Sequence, residues 1–202
     1  MIVPLLLLER INMEEENTEA EVVEAINYFN ILIYPNPFLR RVAKHVDEFN
    51  ADLQDVINKL IETMYRANGL GLAAVQAGVD KRILVYDVDR EPGKKNPAVI
   101  VNPAIARYSG TVMSENEGCL SVIGLRANVE RYEKITVTGL GRGGMPTEVE
   151  ADGHLSIALQ HEIDHLDGEL FIDRISKLRR DMYTRKIKKA LRRNRRNQQN
   201  SV

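Results

Sequence analysis

Between Asn50 and Asn68, apolar residues recur with a helical period. Leu53, Val56, Ile57, Leu60, Ile61 and Met64 stand at i, i+3, i+4, i+7, i+8 and i+11. That spacing predicts an amphipathic helix with one face in a core. The next segments lose the period. RILVYDV (82–88) and AVIVNP (98–103) are short, apolar and β-branched, the content of buried strands. KITVTGL (134–140) and TEVEA (147–151) predict two further strands joined by a hairpin loop at RGGMP. HLSIALQHEIDHL (154–166) then reads as a helix, apolar enough through Ile157, Ala158 and Leu159 to be largely buried, with Gly168 as its C-terminal cap. SKLRRDMYTRKIKKALRRNRR (176–196) is a last helix, opening on an N-cap serine and fraying into a polar tail.

Ahead of these elements, ILIYPNPFLRRVAK (31–44) is irregular around Pro35 and Pro37, and the acidic stretch at 14–25 makes at most a short surface helix. No internal repeat is present. The order helix, strands, helix with hairpin connections predicts an α+β fold. Mixed, mostly antiparallel sheets would surround the helix of 154–166, with a C-terminal helix appended. The expected division is an N-terminal extension at 1–30, a catalytic domain at 31–173 and a basic C-terminal helix and tail at 174–202.

Composition changes this picture in two places. A chain of 202 residues with 44% apolar and 28% charged residues suits one soluble domain with an appendage. The formal net charge of −1 conceals a split. Of 28 basic and 29 acidic residues, 12 Lys and Arg but only one acid, Asp181, lie at 174–202. An acidic body therefore carries a strongly basic tail. The apolar run IVPLLLL near the start has no basic residues before it and no small-residue cleavage site after it, and is too short to span a bilayer. The expected location is cytoplasmic. Met13 follows soon after, so an upstream start codon is a plain reading of the extension. A lone cysteine, Cys119, excludes an internal disulfide framework and leaves a functional thiol open.

The chemistry begins with QHEIDHLDG (160–168). On a helix, His161 and His165 lie about 40° apart in azimuth and roughly 6 Å apart along the axis, so both imidazoles can reach one ion. Glu162 is close enough to face an open coordination position without ligating, as in helices that activate a water. A catalytic site needs a third protein ligand. Downstream ligation of the protease type fails: position 171 is Phe, and the acids after His165 are too near or lie on the basic helix. Upstream, His45 stands among charges and His154 is two turns away on the same helix. Cys119, in ENEGCLS, is the better candidate, its thiolate being a strong soft ligand. A third unusual stretch, GLGLAAVQAG (69–78), combines glycines and small residues with one polar side chain, Gln76, whose amide can donate to a developing oxyanion.

GLGLAAVQ, EGCLS and QHEIDHLDG together, in this order and spacing, resemble the three signature motifs of the peptide deformylases, and the similarity extends from about Ile31 to the C-terminal helix. The resemblance implies a metal held by Cys119, His161 and His165, with Fe(II) as the family's usual ion and zinc, nickel or cobalt able to replace it. It implies Glu162 as general base and acid, and Gln76 with the backbone N–H of Leu120 as oxyanion donors. By analogy, Leu70, Leu125, Ile157 and Ala158 line a methionine pocket. Gly71 and Gly118 offer backbone contacts to the peptide, and Arg126 holds the chain beyond methionine. The implied reaction removes the N-formyl group from the formyl-methionine of newly made polypeptides and releases formate. Asp164, one turn from His161, is expected to orient a ligand or to form a salt bridge. One departure is CLSVIG, with Ile123 where the family often has proline.

The basic tail suits electrostatic binding to RNA phosphates, and the resemblance implies docking on the ribosome through that helix. Two rival readings remain. A zinc peptidase lacks its downstream ligand. An RNA-binding module with a structural metal would close the fourth position with a protein ligand, and gives no reason for a glutamate and a glutamine beside it. A monomer is expected.

Overall fold

The computed structural model describes residues 28–88 and 93–199. The extension expected at 1–30, apart from its last three residues, and the acidic stretch at 14–25 lie outside the described residues. The elements are α1 (Ala51–Arg66), β1 (Gly71–Ala73), β2 (Ile83–Tyr86), β3 (Ala98–Ser109), β4 (Val112–Cys119), β5 (Val122–Arg131), β6 (Lys134–Leu140), β7 (Pro146–Asp152), α2 (Gly153–Leu166) and α3 (Lys177–Gln199). Short 3-10 turns lie at Pro37–Arg40, Ala74–Ala77 and Phe171–Asp173. Five strands form an antiparallel sheet in the order β1-β2-β3-β6-β7, and β4 pairs with β5 in a separate hairpin. The architecture is the expected α+β arrangement with antiparallel sheets and a C-terminal helix.

The Asn50 side chain starts α1 by accepting the Leu53 N–H at 3.0 Å, satisfying a donor the helix itself cannot. Its buried stripe is Leu53, Ile57, Leu60 and Met64, packed on Leu72, Ile83 and Val85 of the sheet. Each such fully buried side chain contributes about 1.5–3 kcal/mol. Val56 and Ile61 flank the stripe and are only partly buried.

Helix α2 packs Leu159, Ile163 and Leu166 against Ala73, Leu84 and Val137. Its other side is buried too, although it carries Gln160, His161, Glu162, Asp164 and His165. Gln160 ties the helix to the turn after β5, accepting from the Tyr132 N–H and donating to its carbonyl, both at 2.9 Å. The helix ends at the expected glycine. Gly168 has φ +76°, and a Cβ there would lie 2.7 Å from the Arg40 carbonyl oxygen.

Three strands escape a hydrophobicity reading. β1 is only three residues long. β4, VMSENEGC, is polar through its middle. β5 does alternate, burying Ala127, Val129 and Arg131, but the last inward position is a charge. Cys119 is the last residue of β4. It pairs with Val122, so Leu120 and Ser121 form the hairpin's turn. β3 runs through Pro103 to Ser109, past the expected end. Its register shifts between Val101 and Ala104, where a residue without an N–H does least harm. A cluster of Leu39, Val122, Ala127, Val129, Phe171 and Tyr183 seats the β4–β5 hairpin and the root of α3 on the body.

Candidate active site

The hairpin brings Cys119 to α2. Its Sγ lies 3.2 Å from His165 Nε2, and one ligand atom from each of Cys119, His161 and His165 lies within 4.8 Å of the other two. Tetrahedral ligands at zinc-type bond lengths stand about 3.5 Å apart, so the three could hold one divalent ion. The other two histidines, His45 and His154, are exposed. The histidine rings meet edge-on, with centroids 4.9 Å apart.

The His161 ring is fixed from behind. Its Nδ1 lies 2.8 Å from Glu117 Oε1, which leaves Nε2 for an ion. Glu117 accepts two hydrogen bonds from Arg131, from Nε at 3.1 Å and Nη2 at 2.6 Å. Burial opposes ionisation of Glu117, yet His161 and Arg131 prevail and bring its pKa down to about 2. The carboxylate is therefore charged at any physiological pH. The sequence reading gave the orienting part to Asp164 as an alternative. Asp164 takes the other expected part, forming salt bridges with Arg131 and Arg174, and Glu117, the first residue of the EGCLS motif, faces the histidine. Its signal was the polar run before the cysteine, which a hydrophobicity pattern passes over.

Glu162 is 5% exposed. Burial pushes its pKa up to about 7, and its Oε2 has no hydrogen-bond partner among the described residues. An unpartnered buried carboxylate oxygen beside a thiol and two imidazoles suits a site that takes a cation and a water. Gln76 lies in the turn after β1. Its Oε1 accepts the Ala73 N–H at 2.9 Å, which fixes the amide and points Nε2 at Ser121 Oγ (3.2 Å) and Cys119 Sγ (3.6 Å). Leu120 follows the cysteine in the hairpin turn, and its side chain packs on the α1 core.

The residues assigned to substrate are placed less uniformly. Ile157 and Ala158 are partly buried, one turn before His161 on α2. Leu125 packs in the same cluster as Cys119 and Phe171. Leu70 is 47% exposed. Gly71 backs directly onto Glu162: a Cβ there would lie 2.8 Å from Glu162 Oε1. Gly118 faces the Arg126 guanidinium, which donates to the Asn116 carbonyl at 3.1 Å. A charged cleft of about 560 Å³ lined by Arg40, Glu130, Glu169, Asp173 and Arg174 contains none of these groups.

A buried His-Glu-x-x-His helix met by a thiol at a strand end defines the class, a metal-binding hydrolase. The family model for polypeptide deformylase matches residues 28–181. The chain belongs to the polypeptide deformylase family and is an enzyme of that family. A peptide deformylase from Agrobacterium fabrum (strain C58) is 48% identical over 162 residues, 80% of this chain and 95% of the relative. The crystal structure of a peptide deformylase from Legionella pneumophila superposes with a TM-score of 0.76 at 46% identity, covering 84% of this chain and 98% of that one. A Met-Ala-Ser-bound peptide deformylase from Acinetobacter baumannii gives a TM-score of 0.69 at 32% identity, covering 73% and 98%.

Proposed function

We propose that this enzyme is a metal-dependent hydrolase that removes the N-formyl group from the formyl-methionine of newly synthesised polypeptides. The observation that carries the reading is Glu162, buried and unpartnered at Oε2 beside Cys119, His161 and His165. The Met-Ala-Ser peptide of the Acinetobacter structure has the form of a deformylated product, which supports the substrate class.

A divalent ion held by the thiolate and the two imidazoles would supply Lewis acidity and a water of lowered pKa. Glu162, with a pKa near 7, takes a proton from the attacking water as its oxygen bonds to the formyl carbon. The Gln76 amide and the Leu120 N–H donate to the carbonyl oxygen as charge collects there. The C–N bond then breaks, Glu162 returns the proton to the departing amine, and formate leaves. A formyl carbon carries only hydrogen, so a tight site excludes larger acyl groups by size. Leu70, Leu125, Ile157 and Ala158 take the methionine side chain, while Gly118 and Arg126 hold the peptide beyond it. Fe(II) is the proposed cellular ion, with zinc, nickel or cobalt as substitutes.

The same reading keeps residues 31–173 as the catalytic domain, with 1–30 and 174–202 as additions, and places a monomer in the cytoplasm. Among the described residues no helix is long and apolar enough to cross a membrane. The basic face of α3 docks on ribosomal RNA near the emerging chain. Deleting the whole helix would strip buried Tyr183 from the body, so neutralising Lys188, Lys189, Arg192 and Arg193 is the cleaner test. The variant should lose low-salt co-sedimentation with ribosomes, and unchanged co-sedimentation refutes docking. For the reaction, anaerobic protein loaded with Fe(II) or nickel should release formate from a formyl-Met peptide and nothing from the acetyl-Met peptide. No formate from metal-replete protein would overturn the assignment.

A further inference from the structure

The row of alternating charges behind His161 continues past Arg131. Arg131 divides its planar fork between two carboxylates, giving Nε and Nη2 to Glu117 and Nη1 to Asp164 at 2.6 Å. Asp164 is also gripped by Arg174, which donates from Nε at 2.7 Å to the oxygen that Arg131 contacts and from Nη2 at 2.5 Å to the other. The side chains of Arg131, Glu117 and Asp164 are 1%, 5% and 10% exposed, while Arg174 is 40% exposed. Arg174 therefore closes an otherwise buried row at the protein surface. It lies between the 3-10 turn Phe171–Asp173 and α3, at the root of the basic helix.

Anchoring that root does not require Arg174. Asp173 does so, accepting from Leu170 N–H at 2.9 Å, from Arg180 at 3.4 Å and from Arg40. Tyr183 adds a hydrogen bond to the Ile123 carbonyl at 3.0 Å. Arg174 instead grips Asp164 of α2, the residue before His165, with a longer contact to Glu169 at 3.3 Å. A guanidinium is rigid, so the direction of Asp164 sets the plane of Arg131. That plane sets the Glu117 carboxylate against which the His161 ring is oriented.

We infer that Arg174 and Asp164 are positioning residues for the metal site, keying the root of the C-terminal helix to the orientation of His161 through Arg131 and Glu117. This inference rests on the assignment of Cys119, His161 and His165 as ligands. Removing Arg174 frees Asp164 to turn, leaves Arg131 with one firm anchor and loosens the imidazole.

The test uses cobalt-loaded protein, read by its visible spectrum and by the rate of cobalt transfer to a chelator. Loss of a direct partner of a ligating histidine typically costs about 10–100-fold in metal affinity. Acting three links further back, Arg174→Ala should speed cobalt loss about three- to tenfold and shift the ligand-field bands. Asp164→Asn should do the same. Arg174→Lys, a single donor in place of a fork, should recover only part of the effect. Arg180→Ala, which loosens the same root without touching Asp164, should leave spectrum and rate unchanged. Wild-type behaviour in Arg174→Ala, or equal effects in Arg180→Ala, would overturn the inference alone. A wild-type protein without a thiolate-to-cobalt band, or a band that survives Cys119→Ser, would overturn the ligand assignment and this inference with it.

Discussion

Replacing Gly71 by alanine is a sharp test of the base, because the three heavy atoms nearest an added methyl all belong to Glu162. The methyl carbon would lie 2.8 Å from Oε1, 2.9 Å from Cγ and 3.1 Å from Cδ. All three are inside van der Waals contact, so either strand or side chain must yield. β1 is held by β2 in register, and its next two residues, Leu72 and Ala73, are fully buried. The carboxylate therefore moves, by something on the order of 1 Å, a displacement that can cost about 10²-fold in rate. We expect kcat for formate release from a formyl-Met peptide to fall about 100-fold. Overpacking should also lower stability by about 1–3 kcal/mol. In a Glu162→Ala background the methyl meets no such atoms, and the same substitution should be neutral or slightly stabilising. Thermal melts of the four proteins complete the cycle. A Gly71→Ala enzyme retaining a third of wild-type kcat, or equal stability losses in both backgrounds, would refute the reasoning.

Glu162→Gln should abolish general-base catalysis, about 10²–10⁴-fold, yet stabilise the metal-free protein. Burial raises the Glu162 pKa from 4.5 to about 7, so the folded state holds a proton that the unfolded state releases. Wild-type stability then falls as pH rises through that window, by about 3 kcal/mol, and is fully restored only below pH 4.5. Urea melts of the metal-free pair should diverge across the window and stay parallel above it; a gap independent of pH counts against a buried carboxyl. Gln76→Ala should cost about 10²–10³ in kcat with metal content unchanged, and a loss confined to KM would remove Gln76 from the oxyanion site. Arg131→Met leaves Glu117 and Asp164 buried without their shared partner and should destabilise by about 3–5 kcal/mol in chemical denaturation, a loss under 1 kcal/mol being incompatible with the network described.

The sequence betrayed most readily those parts whose spacing is itself the physics. The α1 stripe, the edges of β6 and β7, and the two histidines of α2 all follow from a helical or strand period. Glu117 and Arg131 did not, because they are charges at inward-facing strand positions, and a hydrophobicity pattern scores inward charges as surface. They are also far from α2 in sequence, so nothing local signals that they meet Asp164 and His161. Gly71 was read as a backbone contact for substrate, and its second use, leaving room for Glu162, needs β1 and α2 placed together.

The same geometry explains why the site joins elements of such different kinds. Two ligands and the base come from one helix, whose regular rise fixes their mutual distances wherever the helix lies. The thiol ends one strand, and Leu120 opens the turn, of a two-stranded hairpin, an element of marginal stability alone. That hairpin is held in place by the ionic row from Glu117 through Arg131 to Asp164, which runs between β4, β5 and α2. A buried ion pair adds little net stability compared with apolar packing, but its directionality admits one relative placement of the three elements. Three side chains from two elements can share one ion only if that placement is kept, so the charges buried behind the histidines serve geometry before they serve stability.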